Sequence, residues 1–213
     1  MSLIDEGLLR VLLSGPMYRI SKSDDRFVIG GYASVLLEDE TGNEIGDHEG
    51  ESVDLDALDE AFTRMMSVHS RRNLMAYHSN TQIGELLEDY TDGEGTAWKS
   101  HVVRIPTPQY TRKGLFIISE LFNDIQEGKR YIKAMMGGDM LSFSIGGEVL
   151  RRVEVCDENG CIKRIVMIDL AEVSSCQVGM NKEAKAFVMK GAETPPQLKS
   201  ANSGAELLSK LRV

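Results

Sequence analysis

Long apolar runs are missing. No stretch of the 213 residues approaches the ~20 consecutive apolar positions that a membrane-spanning helix needs. An excess of positive charge is missing as well. Lys and Arg number 24 against 33 Asp and Glu, a formal net charge of −9, which argues against a general nucleic-acid binder with a basic face. A local basic patch remains at Arg151-Arg152 with Lys163-Arg164. Cysteine is scarce, with Cys156, Cys161 and Cys176 only. Three thiols are too few, and odd in number, for a disulfide framework, and they fit a reducing compartment. A four-residue hairpin loop would set Cys156 opposite Cys161, whereas a two-residue Asn159-Gly160 turn would offset them. No histidine lies near enough in sequence to complete a metal site, so all three are expected to be ordinary thiols, with no metal or other cofactor. The leading segment carries Asp5 and Glu6 and has no basic stretch before Leu8, so it does not read as a secretory signal. Histidine is also rare: His48, His69, His78 and His101 are the candidate bases.

What is present is an ordinary globular composition, 42% apolar and 27% charged, enough for one substantial core. Met17–Ile20, Phe27–Ile29 and Tyr32–Leu37 read as strands, with Gly30-Gly31 suggesting a bulge or bend. Asp54 is a good N-cap, and Leu55, Leu58, Phe62, Met65 and Met66 follow at helical spacing. Asp54, Asp56, Asp59 and Glu60 match the helix dipole and read as a solvated face, not a metal site. Leu74–Tyr77 is a short strand ending at His78. A second helix is expected from about Asn123 to Met136, burying Ile125, Ile132 and Met136 and stopping at Gly137-Gly138. Val149–Val155 and Ile162–Ile168 form a hairpin, and Leu170–Val178 a last strand. From Gly191 the chain turns polar through Pro195-Pro196. A capping box at Ser203–Glu206 then precedes Leu207, Leu208 and Leu211. The expected organisation is a domain over 1–190 with a linker and short helical tail over 191–213. Its class is α+β and β-rich, an antiparallel barrel or strongly curved sheet with surrounding helices.

The stretch Leu141-Ser142-Phe143-Ser144-Ile145-Gly146-Gly147 places hydroxyls on a strand beside bare backbone that a substrate can approach closely. A serine hydroxyl needs a base to take its proton, and the base needs a third group to hold its tautomer. His78 stands where a strand passes into a polar loop, a common place for a working residue. Ser142 and Ser144 share a parity, so periodicity leaves both open. Asp169 and Glu172 have opposite parities in a regular strand, so at most one points into a given site. A thiol enzyme built on Cys176 has no histidine in its sequence context.

The ordered set Tyr77-His78 with Ile83-Gly84, Leu141–Gly146, and Leu170-Ala171-Glu172-Val173-Ser174 resembles the phage prohead (capsid maturation) serine proteases. That family is similar in fold to the herpesvirus assemblins, and the resemblance spans roughly residues 17–190. It implies His78, Ser144 and Glu172 as the catalytic set, with Asn181 matching an asparagine of the family pattern. It further implies an endopeptidase working in the host cytoplasm, inside the immature capsid, and no cofactor. Its substrates would be scaffolding protein, major capsid protein and itself, with self-association and no nucleic acid or membrane as partner. The oxyanion donors expected from the residues are backbone N–H groups near Gly146-Gly147, or Arg151. The rival is a non-catalytic capsid- or scaffold-binding module that keeps the fold without the chemistry.

Overall fold

In the computed structural model the residues described are 17–23, 26–47, 50–139, 141–157 and 160–176. The linker and tail, Asn181 and His48 lie outside them. The strands in chain order are β1 (Met17–Ser23), β2 (Arg26–Val35), β3 (Leu37–Glu38), β4 (Glu44–Ile45) and β5 (Glu51–Val53). Helix α1 (Leu55–Ser67) and a 3₁₀ turn at His69–Arg71 lead to β6 (Asn73–Ala76) and β7 (Gln82–Leu87). Then come β8 (Asp89–Thr91), β9 (Ala97–Lys99), β10 (His101–Val103), β11 (Gly114–Leu121) and α2 (Gln126–Met136). Two long strands close the described chain, β12 (Ser142–Asp157) and β13 (Gly160–Cys176).

The main sheet has nine strands and runs β1-β2-β11-β7-β6-β13-β12, with β10 added to β11 and β5 to β13. It curls into a half-barrel with β12 brought near β2, which is the β-rich, strongly curved α+β architecture expected from the sequence. It is not wholly antiparallel. β5 and β6 both run parallel to β13, pairing with its first and last portions. The connection between them is α1, so the chain leaves β13's edge, crosses the core as a helix and returns to the same edge, as parallel pairing requires. The Asp54 carboxylate caps α1 through the N–H groups of Asp56 and Ala57 at 2.9 and 3.1 Å. Leu58, Ala61, Phe62 and Met65 then pack in one cluster with Ile165, Ile168, Leu170 and Val173 of β13. The acids at the start of α1 meet a guanidinium: Arg104 reaches Asp56 at 2.6 Å and Asp59 at 3.2 Å.

A second cluster, with Tyr32, Trp98, Phe116 and Ile118, covers the other face of β2 and β11. Those two strands are therefore buried on both sides and read as continuous apolar runs. Gly30 and Gly31 sit in regular register with β1 and β11, so the expected bulge is not there. The irregularities fall one or two residues to either side: an extra residue on β1 opposite Ile29/Val28, and Ala33 of β2 itself, between the partners of Leu115 and Phe116. Helix α2 begins three residues later than its periodicity suggested. It buries Gly128 and Tyr131, while Ile132 is half-buried and Met136, at the helix end, is 56% exposed. It does stop at Gly137-Gly138, with Gly138 at φ +90°.

The sequence divided the end of the domain into a serine strand, a hairpin and a last strand. They are instead one hairpin of 16 and 17 residues, kinked three times. Each kink is a single extra residue: Ala171, then Leu150, then Val166, each left without a partner in the register. The register is the one that faces Cys156 with Cys161, not the one offset by an Asn159-Gly160 turn. Asp157 pairs with Gly160, and Cys156 is directly opposite Cys161. Those two are joined in a disulfide, Cα–Cα 4.0 Å, and only Cys176 is a free thiol among the described residues. Direct opposition across the ladder brings two thiols together regardless of how few cysteines the chain has.

Candidate active site

β6 delivers the base. It runs parallel to the end of β13, with Leu74 opposite Val173 and Ala76 opposite Ser175. At Ala76 the chain turns sharply, the Ser79 N–H donating to the Ala76 carbonyl at 2.8 Å. The two central residues, Tyr77 and His78, have φ of +49° and +53°. Positive φ at both central positions is the mark of a type I′ turn, where Asn-Gly is the usual choice. A tyrosine and a histidine hold this conformation at a cost of about 1–2 kcal/mol each. Such strain gathers at working sites. Tyr77 is pinned by its N–H to the Ser175 carbonyl at 3.0 Å.

β12 and β13 deliver the other two side chains. Phe143, Ile145, Leu170 and Val173 point into the core and are fully or almost fully buried. The alternate residues point the other way: Ser144 is opposite Ser174, and Gly146 is opposite Glu172. His78 Nε2 lies 3.0 Å from Ser144 Oγ, and His78 Nδ1 lies 2.6 Å from Glu172 Oε1. The imidazole thus bridges a hydroxyl and a carboxylate through its two nitrogens, in the arrangement by which a base is oriented and its tautomer fixed. The His78 side chain is 7% exposed, that of Glu172 22%, and Ser144 1%. In so dry a recess each hydrogen bond is stronger than it would be in water.

Gly146 makes room for this. A Cβ there would lie 2.8 Å from Glu172 Cγ and 2.9 Å from its Oε1, so the carboxylate side chain occupies the space a larger residue would take.

The remaining candidates are placed elsewhere. Ser142 is two residues along the same face, opposite Cys176. Asp169 stands beside Arg71 at 3.5 Å. Parity is not what separates it from Glu172, because the extra residue Ala171 resets the alternation. Glu172 and Asp169 oppose Gly146 and Glu148, which share a face. Separation along the strand, and the Arg71 partner, take Asp169 away. Arg151 lies seven residues beyond Ser144, roughly 23 Å along extended chain and past two of the kinks, which removes it as an oxyanion donor. His69 is exposed beside Glu85 at 3.3 Å. His101 packs edge-on against Tyr110 and bonds the Lys99 carbonyl. Cys176 is no nucleophile: burial, and then the Glu172 charge, push its thiol up to about 11, the direction opposite to activation. The clearest surface groove, about 390 Å³, lies at the far end of the hairpin between Asp39–Gly46 and Val155–Arg164, away from His78. Two residues were not singled out from sequence, Gly146 as the space for Glu172 and Ser174 as its neighbour. The Glu-x-Ser spacing, which puts 172 and 174 on one strand face, was the available signal for Ser174.

No group of three or more potential metal ligands occurs among the described residues, and no described helix is long and apolar enough to cross a membrane. No curated protein and no solved structure gives a significant match to the chain. Residues 108–195, which carry Ser144 and Glu172 but not His78, match the model of the family described as Caudovirus prohead serine protease.

Proposed function

We propose that this protein is a serine endopeptidase in which Ser144 is the nucleophile, His78 the base and Glu172 the orienting acid. The observation that carries the reading is the bridge from His78 to Ser144 and Glu172 at 3.0 and 2.6 Å. Two of those residues lie within the family match, and the third comes to them only through the fold. His78 Nε2 takes the Ser144 proton as Oγ attacks the peptide carbonyl, forming the C–O bond and placing negative charge on the carbonyl oxygen. His78 then gives that proton to the leaving amine as the C–N bond breaks. Glu172 stabilises the imidazolium between the two steps and keeps Nδ1 protonated. Water repeats the sequence on the acyl-enzyme and frees Ser144. Because Ser144 is nearly covered, a peptide must open the surface above it before reaction.

The family match supports a capsid-maturation protease of a tailed phage, acting in the procapsid. The finer assignment is that it cuts scaffolding protein, major capsid protein and its own chain, inside the immature capsid in the host cytoplasm. The domain, 1–190, would carry the chemistry, and 191–213 would be a removable targeting segment. The test is co-expression with the capsid protein. New fragments with the intact protease, and none with a folded Ser144→Ala variant, are expected. Equal cutting by both removes Ser144 as nucleophile. No cutting by the intact protease leaves the non-catalytic binding module as the better reading.

A further inference from the structure

We propose that Ser174 is a positioning residue for this site, fixing both the main chain of the base and its carboxylate; the inference rests on the protease reading above. Ser174 is fully buried and directly opposite Ser144 in the ladder, on the face that carries Glu172. Its hydroxyl accepts the His78 main-chain N–H at 3.1 Å and donates to Glu172 Oε1 at 3.2 Å. That oxygen is the one that receives His78 Nδ1 at 2.6 Å. The three bonds close a ring: His78 ring to Glu172, Glu172 to the Ser174 hydroxyl, and Ser174 back to the His78 backbone. One hydroxyl has a single proton to give and two lone pairs to receive. Here the proton and one lone pair are both committed to the base and its partner.

The ring matters because of where His78 stands. At φ +53° the histidine holds a backbone conformation that its own preferences disfavour. Turn bonds at Ala76 and Tyr77 set the chain up to this point, but the N–H of His78 itself is held by Ser174. Without that hydroxyl the buried N–H has lost its partner, the turn is free to relax, and Nε2 moves relative to Ser144 Oγ. The same deletion removes a donor from Glu172, which then holds the imidazole less firmly. Both effects act on the reacting geometry, and neither touches peptide binding.

Three substitutions test this: Ser174→Ala, Ser174→Cys and Ser174→Thr. The thiol keeps the volume but is a weak hydrogen-bonding group, while threonine keeps the hydroxyl. The alanine and cysteine variants should lose about 10- to 100-fold in kcat, as partners that orient a working side chain typically do, with KM within twofold. The low-field proton resonance of the His78 Nδ1–H should move upfield or vanish in both. Threonine should recover both readouts. A residue that merely supports the fold would lower the melting temperature and leave kcat of the folded enzyme and the resonance unchanged, and that result overturns the proposal. If alanine does not fold, the cysteine variant decides, since it preserves packing; kcat within twofold of the parent refutes the ring. Activity surviving in Ser144→Ala would instead strike the protease reading itself.

Discussion

Gly146 and Gly147 are adjacent on β12, yet a methyl group added to each should do opposite things. At Gly146 the three atoms nearest an added Cβ all belong to one side chain: Glu172 Cγ at 2.8 Å, Oε1 at 2.9 Å and Cδ at 3.3 Å. The main chain there is not in the left-handed region, so alanine can adopt it. Relief comes by rotating Glu172, at about 0.5–1.5 kcal/mol for an off-rotamer side chain. Reduced freedom of the unfolded chain returns about 0.4–1 kcal/mol. The net change in stability is therefore close to zero. The rotation, however, carries Oε1 away from His78 Nδ1, a 2.6 Å contact with no slack. Mis-orienting the base costs a serine protease up to about 10⁴-fold in kcat.

At Gly147 the added Cβ meets backbone: the Asp169 carbonyl oxygen at 2.2 Å, its carbon at 3.0 Å and Leu170 Cα at 3.1 Å. No rotation relieves that, and the β12–β13 ladder must part beside the Ala171 bulge, at about 1–3 kcal/mol or more. Thermal unfolding and peptide hydrolysis on the two alanine variants separate the effects. Gly146→Ala should melt within a few degrees of the parent and be almost inactive. Gly147→Ala should melt well below it. In a Glu172→Ala background, Gly146→Ala should cost no further activity, since the group it displaces has gone. An active Gly146→Ala variant, or one inactive only because it is unfolded, refutes the account of Glu172 as the orienting acid.

The other predictions follow from the same geometry. His78→Ala and Ser144→Ala should each abolish cleavage while staying folded, and the double variant should be no worse than either, because members of one unit do not add; Ser142→Ala should remain active, and the reverse result in a peptide assay would move the nucleophile by two residues. Glu172→Gln should slow hydrolysis less than His78→Ala does, and Asp169→Asn, which loses only the Arg71 contact, should be near neutral; swapped rates would reassign the acid. Cys176, held near 11 by burial, should alkylate slowly at pH 8, where on the order of one thiol in a thousand is ionised. Because the folded chain keeps that proton longer than the unfolded one, its stability should decline as pH rises from about 9 towards 11, and rapid labelling with iodoacetamide at pH 8 would contradict the burial. A chain ending at Lys190 should cut peptide in solution but fail to enter procapsids; normal packaging would remove the targeting role of 191–213, and loss of peptide cleavage would assign part of that segment to the domain, as the family match to residue 195 allows.

Local pattern made much of this fold legible. The Asp54 cap, the spacing of Leu58, Phe62 and Met65, and the Gly137-Gly138 stop depend on neighbours a few residues away, and each appears where sequence put it. What pattern could not reach depends on pairing. β5 and β6 join β13 in parallel across about a hundred residues of sequence, and nothing local distinguishes a parallel edge from an antiparallel one. The disulfide was missed for the same reason. One position of hairpin register decides whether Cys156 and Cys161 face each other, and the turn residues were consistent with more than one register.

The site shows the same division. His78, Ser144 and Glu172 were readable as chemical types at strand ends and on a glycine-flanked strand, and the family resemblance ordered them. The choice between Asp169 and Glu172 was reasoned from strand parity, and parity fails at the one place that matters. Ala171 is an extra residue, so both carboxylates end on the outer face. The bulge re-aims the chain, as bulges near working sites do. It lets Leu170 and Ile168 stay in the core beneath α1 while Glu172 turns across Gly146 towards His78. A regular β13 could not satisfy both demands. With Leu170 held inward, alternation would turn residue 172 inward as well, and the acid would be buried among Leu58 and Met65. The kink at Ala171 therefore connects the hydrophobic core to the His78–Glu172 pair: were Ala171 instead paired with Gly146 in a regular ladder, Glu172 and Ser174 would move opposite Ile145 and Phe143 and both turn inward.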